Sequence, residues 1–395
     1  MKKLFILGII ILVGLVSVPI IWNSTDDLTT AGLVSFSPNP TGLGKGTAFS
    51  PDNNYMAVAH TTTPYVTIYK RDEDTFTKLP NPSTLPANNA WSVTFSHSGI
   101  YLVVGHSVSP YITIYKRSGD TFTKLPNPDT LPSDSAIGVA FSNSDDYLAL
   151  SFGSVPLIAI YKRSGDTFTK LENPTSMPGS SCSGLVFSPD NLHLIVTTNN
   201  SPYICVYKRS NDTFTRIFGI SDDPTGSGRD VSFTADGLIM VVAHTTTPFI
   251  TLYSRSGDTF TKLADPIDLP AGNGMGSDFS NDDTYLAISH ATSPYVTIYK
   301  RSGTTFTKLT NPTSLLGSSG VGIDFSDDGI FVSAVSGVSP YLIIYKRSDD
   351  TFATAYPGIL YNTTTGKLVD LLPTLFVIGI VAGVAGYFIF KKKQE

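Results

Sequence analysis

Charge and cysteine are both scarce in this chain. Only 15% of its 395 residues are charged, against about 25% in ordinary soluble domains, and it has two cysteines, Cys182 and Cys205. Two thiols exclude a disulfide scaffold and leave nothing like a cysteine-based metal cluster. Catalytic signatures are missing as well: there is no Gly-x-Ser-x-Gly, no phosphate-binding loop and no metalloprotease helix. What the chain does have is 41% hydrophobic and 11% aromatic residues, with a mean hydropathy of +0.08. That balance excludes a disordered or fibrous protein and predicts β-structure together with membrane segments.

The membrane signals sit at the two ends. Leu4–Trp22 runs 19 residues without a charge, preceded by Met1-Lys2-Lys3. As a helix this run would be roughly 28 Å long, close to the hydrocarbon thickness of a bilayer. It exceeds the ~7–15 apolar residues of a signal peptide and no Ala-x-Ala site follows, so an uncleaved anchor is expected over a cleaved signal. Leu371–Phe390 is again apolar and runs straight into Lys391-Lys392-Lys393, a stop-transfer pattern. Lysines on the outer side of both segments predict cytoplasmic termini, with residues 23–370 across the membrane. The expected domains are an anchor over 1–23, an ectodomain over 24–368 and a second helix with its basic tail over 369–395. Gly379 and Gly383 form a G-x-x-x-G through which two copies could pair. With the flanking lysines and Glu395 set aside, 22 basic and 31 acidic residues remain, a net charge of −9. Such a surface excludes nucleic acid as the partner, since phosphate binding needs a basic face.

Between the ends one unit recurs seven times. Phe49, Phe95, Phe141, Phe187, Phe233, Phe279 and Phe325 are each 46 residues apart, and Pro64 through Pro340 and Phe76 through Phe352 keep the same spacing. In the second copy Trp91–Phe95, Tyr101–Gly105, Tyr111–Arg117 and Thr121–Leu125 read as four strands divided by turns, with Pro110 at a strand's first position. Strands apolar on both faces need a sheet on each side. Seven sheets arranged radially meet that need by closing on themselves, so an all-β seven-bladed propeller is expected.

The stretch FSHSGIYLVVGHSVSPYITIYKRSGDTFTKL resembles a WD40 repeat. Phe95–Tyr101 stands for that family's F-S-P-D-G stretch, matched more closely by Phe49-Ser50-Pro51-Asp52 and Phe187-Ser188-Pro189-Asp190, and Ile114-Tyr115-Lys116 lies where the family has its W-D pair. The resemblance covers about residues 34–356 and implies that the strand ending at Phe95 is innermost and TFTKL outermost. It also implies that the Lys-Arg pair closing each third strand, Lys70-Arg71 through Lys346-Arg347, lies near the rim, where charge discourages strand addition. Leu33–Pro40 looks like a spare outer strand that would complete the last blade and close the ring.

Candidate site residues are few because the units are so alike. His60, His106, His244 and His290 occupy one repeat position, just after the second strand. Neighbouring sheets lie on the order of 10 Å apart, too far for equivalent rings to share a zinc ion, so no metal is expected there. Ile217–Asp230 replaces the usual inter-unit loop and gathers Asp222, Asp223, Arg229 and Asp230, the best candidates for a specific contact. Cys182 and Cys205 fall on strands separated by a third and should be free, buried thiols. These features predict a membrane-anchored, non-enzymatic surface propeller without cofactor, binding a protein or glycan or building an envelope through loops such as 80–90 and 106–110. The alternative is an extracytoplasmic enzyme, lactonase-like or quinone-dependent, for which Asp230, Asp278 and Asp324 on the innermost strands are the only hint.

Overall fold

The structure, a computed structural model, describes residues 35–37, 39–218, 220–312, 315–354, 360–362 and 367–369. Both apolar end segments, with Gly379 and Gly383, lie outside those residues. Among the described residues no helix is long and apolar enough to cross a membrane.

Seven antiparallel sheets follow one another from Gly44 to Thr354, each with its four strands in sequence order from the axis outward. In the second blade the strands are Ala90–Phe95, Tyr101–His106, Ile112–Ser118 and Thr121–Lys124, within a residue of expectation. Pro110 does not begin the third strand. It is the third residue of a turn in which Tyr111 N–H donates to the Val108 carbonyl at 2.8 Å, and the Ser109-Pro110 bond is cis, the arrangement of a type VI turn.

Packing on both faces of each sheet explains the low charge. Every second strand is buried along all six residues, as in Tyr101–His106, and the apolar clusters join neighbouring blades. The recurrent phenylalanines make that seam. Phe122 on the second blade's outer strand meets Phe95 of its own blade at 6.3 Å and Tyr55 of the blade before at 5.7 Å, both edge to face, an arrangement favoured by aromatic quadrupoles. The tyrosine standing where WD40 repeats have tryptophan holds the inter-blade loop: Tyr115 and Tyr161 donate to the carbonyls of Thr84 and Thr130 at 2.8 and 3.0 Å.

Ring closure differs from expectation. The last blade draws all four strands from Gly320–Phe325 to Thr351–Thr354, and Ser35–Ser37 pairs in parallel with Thr75–Lys78 of the first blade instead, Phe36 opposite Phe76. The incoming chain thus runs past the outer strand of the blade it is about to enter. Ile220 repeats this against Phe260 in the fifth blade. In the fifth blade the bond is donated by the Ser221 N–H, to the Phe260 carbonyl at 3.1 Å, and the five other inter-blade loops carry Pro82, Pro128, Pro174, Pro266 or Pro312 where these two have Phe36 and Ile220. Closure itself is a contact between first and last inner strands, where Phe49 N–H donates to Asp324 Oδ2 at 2.6 Å and the Thr47 and Ser333 hydroxyls lie 2.8 Å apart.

The Lys-Arg pair ties blades together and does not guard an outer edge. Lysine reaches the next blade's turn aspartate, which also accepts from a tyrosine: Lys70 and Tyr55 converge on Asp120, Lys116 and Tyr101 on Asp166, Lys162 and Tyr147 on Asp212. Arginine reaches back, as in Arg117 to Asp52 at 2.7 Å, Arg255 to Asp190 at 2.5 Å and, across the closure, Arg71 to Asp328 at 2.5 Å. At the junction of blades five and six all three members of the forward clasp are replaced together, by Ile239, Ser254 and Thr304. Restoring the pair there with Ser254→Lys and Thr304→Asp should give a favourable coupling of about 0.2–1 kcal/mol, the range of exposed ion pairs. A double-mutant cycle of denaturant unfolding measures it, and a zero or unfavourable coupling would show that the clasp adds nothing at this seam.

Candidate axial binding site

The innermost strands build a feature that differs in every blade. Each carries a bulge that shifts the register by a residue, between Gly44 and Gly46, Ala90 and Ser92, Ala136 and Gly138, and so on around the ring, with Cys182 to Leu185 as the longer case. A bulge re-aims side chains, and here the bulged residues Lys45, Trp91, Ile137, Ser183, Arg229, Met275 and Val321 line an axial cavity of about 410 Å³. These are seven different residues at one repeat position, and no other strand position varies as widely. Sequence reasoning passed over this column apart from Arg229, although aligning the seven units would have exposed it.

The cavity opens on the face that carries the inter-blade loops, because each inner strand enters from that side. It has two levels. At the mouth the ring is mainly apolar, with cations at two points. Lys45 Nζ lies 4.8 Å over the Trp91 ring, and burial lowers its pKa. Arg229 makes no ion pair or hydrogen bond with any described residue, and its Nε is buried without a partner. Deeper, Val93, Val139 and Leu185 of blades two to four face Asp230 and Asp324 of blades five and seven.

The three axial aspartates are clasps between inner strands. Asp230, Asp278 and Asp324 each accept, through Oδ2, a backbone N–H of the following blade, from Ser277 at 2.8 Å, Phe325 at 2.7 Å and Phe49 at 2.6 Å. Burial pushes Asp230 up to about 6. Burial is the main cause raising both Asp278 and Asp324, with repulsion from Asp230 adding to the first and from Asp278 to the second. Gly184 leaves room for Asp230: a Cβ there would lie 2.6 Å from the Asp230 Cα and 2.7 Å from its Oδ1.

The other predicted site residues lie apart from the cavity. Asp222 and Asp223 sit on the loop over the fifth blade, where the Asp222 carbonyl accepts from Tyr253 at 2.7 Å, while Arg229 and Asp230 are at the axis. The structure therefore does not bring these four together. His60, His106, His244 and His290 are fully buried and present no surface to a partner. Each Nε2 lies 2.9–3.1 Å from the hydroxyl of Thr67, Thr113, Thr251 or Thr297 on the next strand. The pairing is exchanged as a unit: the other three blades have Phe152 with Ala159, Thr198 with Cys205, and Ser336 with Ile343. His193, which in the sequence has no evident partner, takes the clasp tyrosine's place, its Nε2 2.9 Å from Asp258 and its Nδ1 2.9 Å from Arg255. Cys182 and Cys205 are free and buried, and burial raises both thiol pKa values. Among the described residues no group of three His, Cys, Asp or Glu side chains could hold a metal ion.

With the geometry in place, solved structures of the same architecture can be set beside it. A chain of hydrazine synthase from Kuenenia stuttgartiensis superposes with a TM-score of 0.59 at 14% identity, covering 83% of this chain and all of that one. A chain in the crystal structure of the mitotic checkpoint complex gives 0.60 at 15% identity, over 82% of this chain and 94% of that one. These likenesses establish the propeller, an architecture that 1633 chains of solved structures match, and leave its function open. No protein-family model and no curated protein sequence matches.

The buried histidines set a pH dependence. Burial holds His60, His244 and His290 down at about 4 and lowers His106, while in the unfolded chain such rings titrate near 6.5. The unfolded state therefore binds more protons between those values. The stability these rings contribute is complete above pH 6.5 and is lost as pH falls through about 4. Asp230, raised to about 6, acts in the opposite sense: its contribution is full below about 3.8 and is lost as pH rises through 6. Copying the fourth blade's pair into the first, as His60→Thr with Thr67→Cys, should lessen the drop in Tm between pH 6.5 and 4.5. An undiminished drop in thermal scans would mean that His60 is not held neutral.

Proposed function

We propose that this chain is a non-enzymatic binding module that meets a protein or glycan with the face onto which the axial cavity opens. The observation that carries this reading is the ring of seven unlike side chains on an otherwise copied frame. Residues that hold the ring together recur from blade to blade, whereas the bulge position, whose side chains reach the mouth, differs every time. Loops on the same face extend the surface, with Val108, Leu131 and Val155 exposed beside the blades that supply Trp91 and Ile137. The likeness of the repeat to WD40 sequences supports the same reading. The apolar end segments and their flanking lysines support a membrane tether with the propeller on the extracytoplasmic side.

An enzyme is the weaker reading, because each axial aspartate is already engaged with a neighbouring backbone N–H. The test is cross-linking of the full-length chain to intact cells or particles. The double variant Trp91→Ala, Arg229→Ala should capture its partner at least about tenfold less, as central aromatic and arginine anchors dominate interfaces. Asp222→Ala with Asp223→Ala should capture normally. Undiminished capture by the axial variant would overturn the proposal, and turnover of a lactone abolished by Asp278→Asn would favour the enzyme.

A further inference from the structure

The cations at the cavity mouth are anomalous in this protein. Acidic residues outnumber basic ones, 32 to 27, and the arginines closing the third strands engage aspartates or backbone carbonyls. Arg229 engages no other described residue by hydrogen bond or ion pair, and its Nε is buried and unsatisfied. Among the described residues Lys45 Nζ has the Trp91 face and no carboxylate. A buried donor without a partner costs free energy that native structures seldom leave uncompensated. Asp230 does not neutralise its neighbour, since no ion pair joins it to Arg229 and its Oδ2 is committed to Ser277. Apart from Ser183, the remaining wall at this level, Trp91, Ile137, Met275 and Val321, is apolar, and a volume of about 410 Å³ is within the range of small-molecule sites.

We propose that the axial cavity binds a small organic anion with an apolar body, its acid group received by Arg229 and Lys45 at the mouth and its body packed against Trp91 and Ile137. The inference rests on the reading of the axial mouth as the binding face and names a ligand class for it. Charge-assisted hydrogen bonds from the guanidinium supply orientation. Val93, Val139 and Leu185 beneath favour the apolar body over an acid group, so the acid group stays at the mouth.

Trp91 is the natural probe, because the chain's only other tryptophan is Trp22. In full-length Trp22→Phe protein, Trp91 emission would be titrated with three ligands of one shape: 4-phenylbutyrate, 4-phenylbutanol and 4-phenylbutylamine. Partition of these compounds into detergent or elsewhere on the protein leaves Trp91 unchanged. The acid should give a saturable change, with at least about tenfold weaker binding of the alcohol and amine. Arg229→Gln should weaken the acid about tenfold and leave the alcohol within about twofold, with Lys45→Gln acting in the same direction and both variants keeping the parental Tm. Equal or tighter binding of the amine, or an acid affinity indifferent to Arg229→Gln, overturns the ligand class. No saturable response to any of the three overturns the small-molecule site, while capture of a macromolecule in the cross-linking experiment would still stand.

Discussion

Seven sheets can share one axis only if their inner strands approach almost to backbone contact, and this crowding governs much else in the molecule. The position after each bulge is glycine in five blades. A side chain on Gly138 would lie 2.5 Å from the Ser183 carbonyl, and one on Gly184 2.6 Å from the Asp230 Cα, closer than carbon atoms approach. Small residues close the neck, and the bulge just before them turns the preceding side chain toward the axis. Tight closure and a variable mouth are therefore two results of one backbone irregularity repeated in every blade.

Closure depends on contacts made blade by blade, because among the described residues no strand is shared between the ends of the ring. The first and last blades meet through the kinds of groups that join other neighbours: an axial aspartate to a backbone N–H, an arginine to a turn aspartate, a lysine to the aspartate beyond it. Each of these is individually modest. At one junction the whole forward clasp changes together, to Ile239, Ser254 and Thr304, and the histidine pair changes as a unit, as in Thr198 with Cys205, whereas the clasp tyrosine alone is exchanged for His193 and for Phe331. Repetition of a fixed contact explains why so much of the sequence is copied, and it marks the bulge column as the place where copying was abandoned.

Much of this fold is legible in the sequence. A period of 46 residues and alternation within each unit place the strands to within a residue, since both reflect burial of sheets on two faces. What escapes is whatever depends on a partner in another unit. Lys116 reads as a rim charge until Asp166 is seen beside it, and His106 reads as a loop residue although it is the buried end of a strand paired with Thr113. Leu33–Pro40 reads as a strand for the last blade, yet Ser35–Ser37 pairs with the outer strand of the first, a partner that nothing local to the segment specifies. Of the candidate site, Arg229 and Asp230 stand out in the sequence as a departure from the repeat, while Lys45 and Trp91 stand out only in a column-by-column alignment of the units, and the bulge they share only once two strands are paired.

The molecule divides labour between a largely copied frame and a variable mouth. Saturation mutagenesis of full-length protein, scored in parallel for folded yield and for capture of its partner, tests that division most directly. The account predicts that substitutions at Lys45, Trp91, Ile137, Ser183, Arg229, Met275 and Val321 change capture while folded yield holds, and that substitutions at the clasp residues Tyr101, Lys116 and Asp166 lower yield and capture together. Bulge substitutions that cost as much folded yield as clasp substitutions, with capture per folded molecule unchanged, would contradict it.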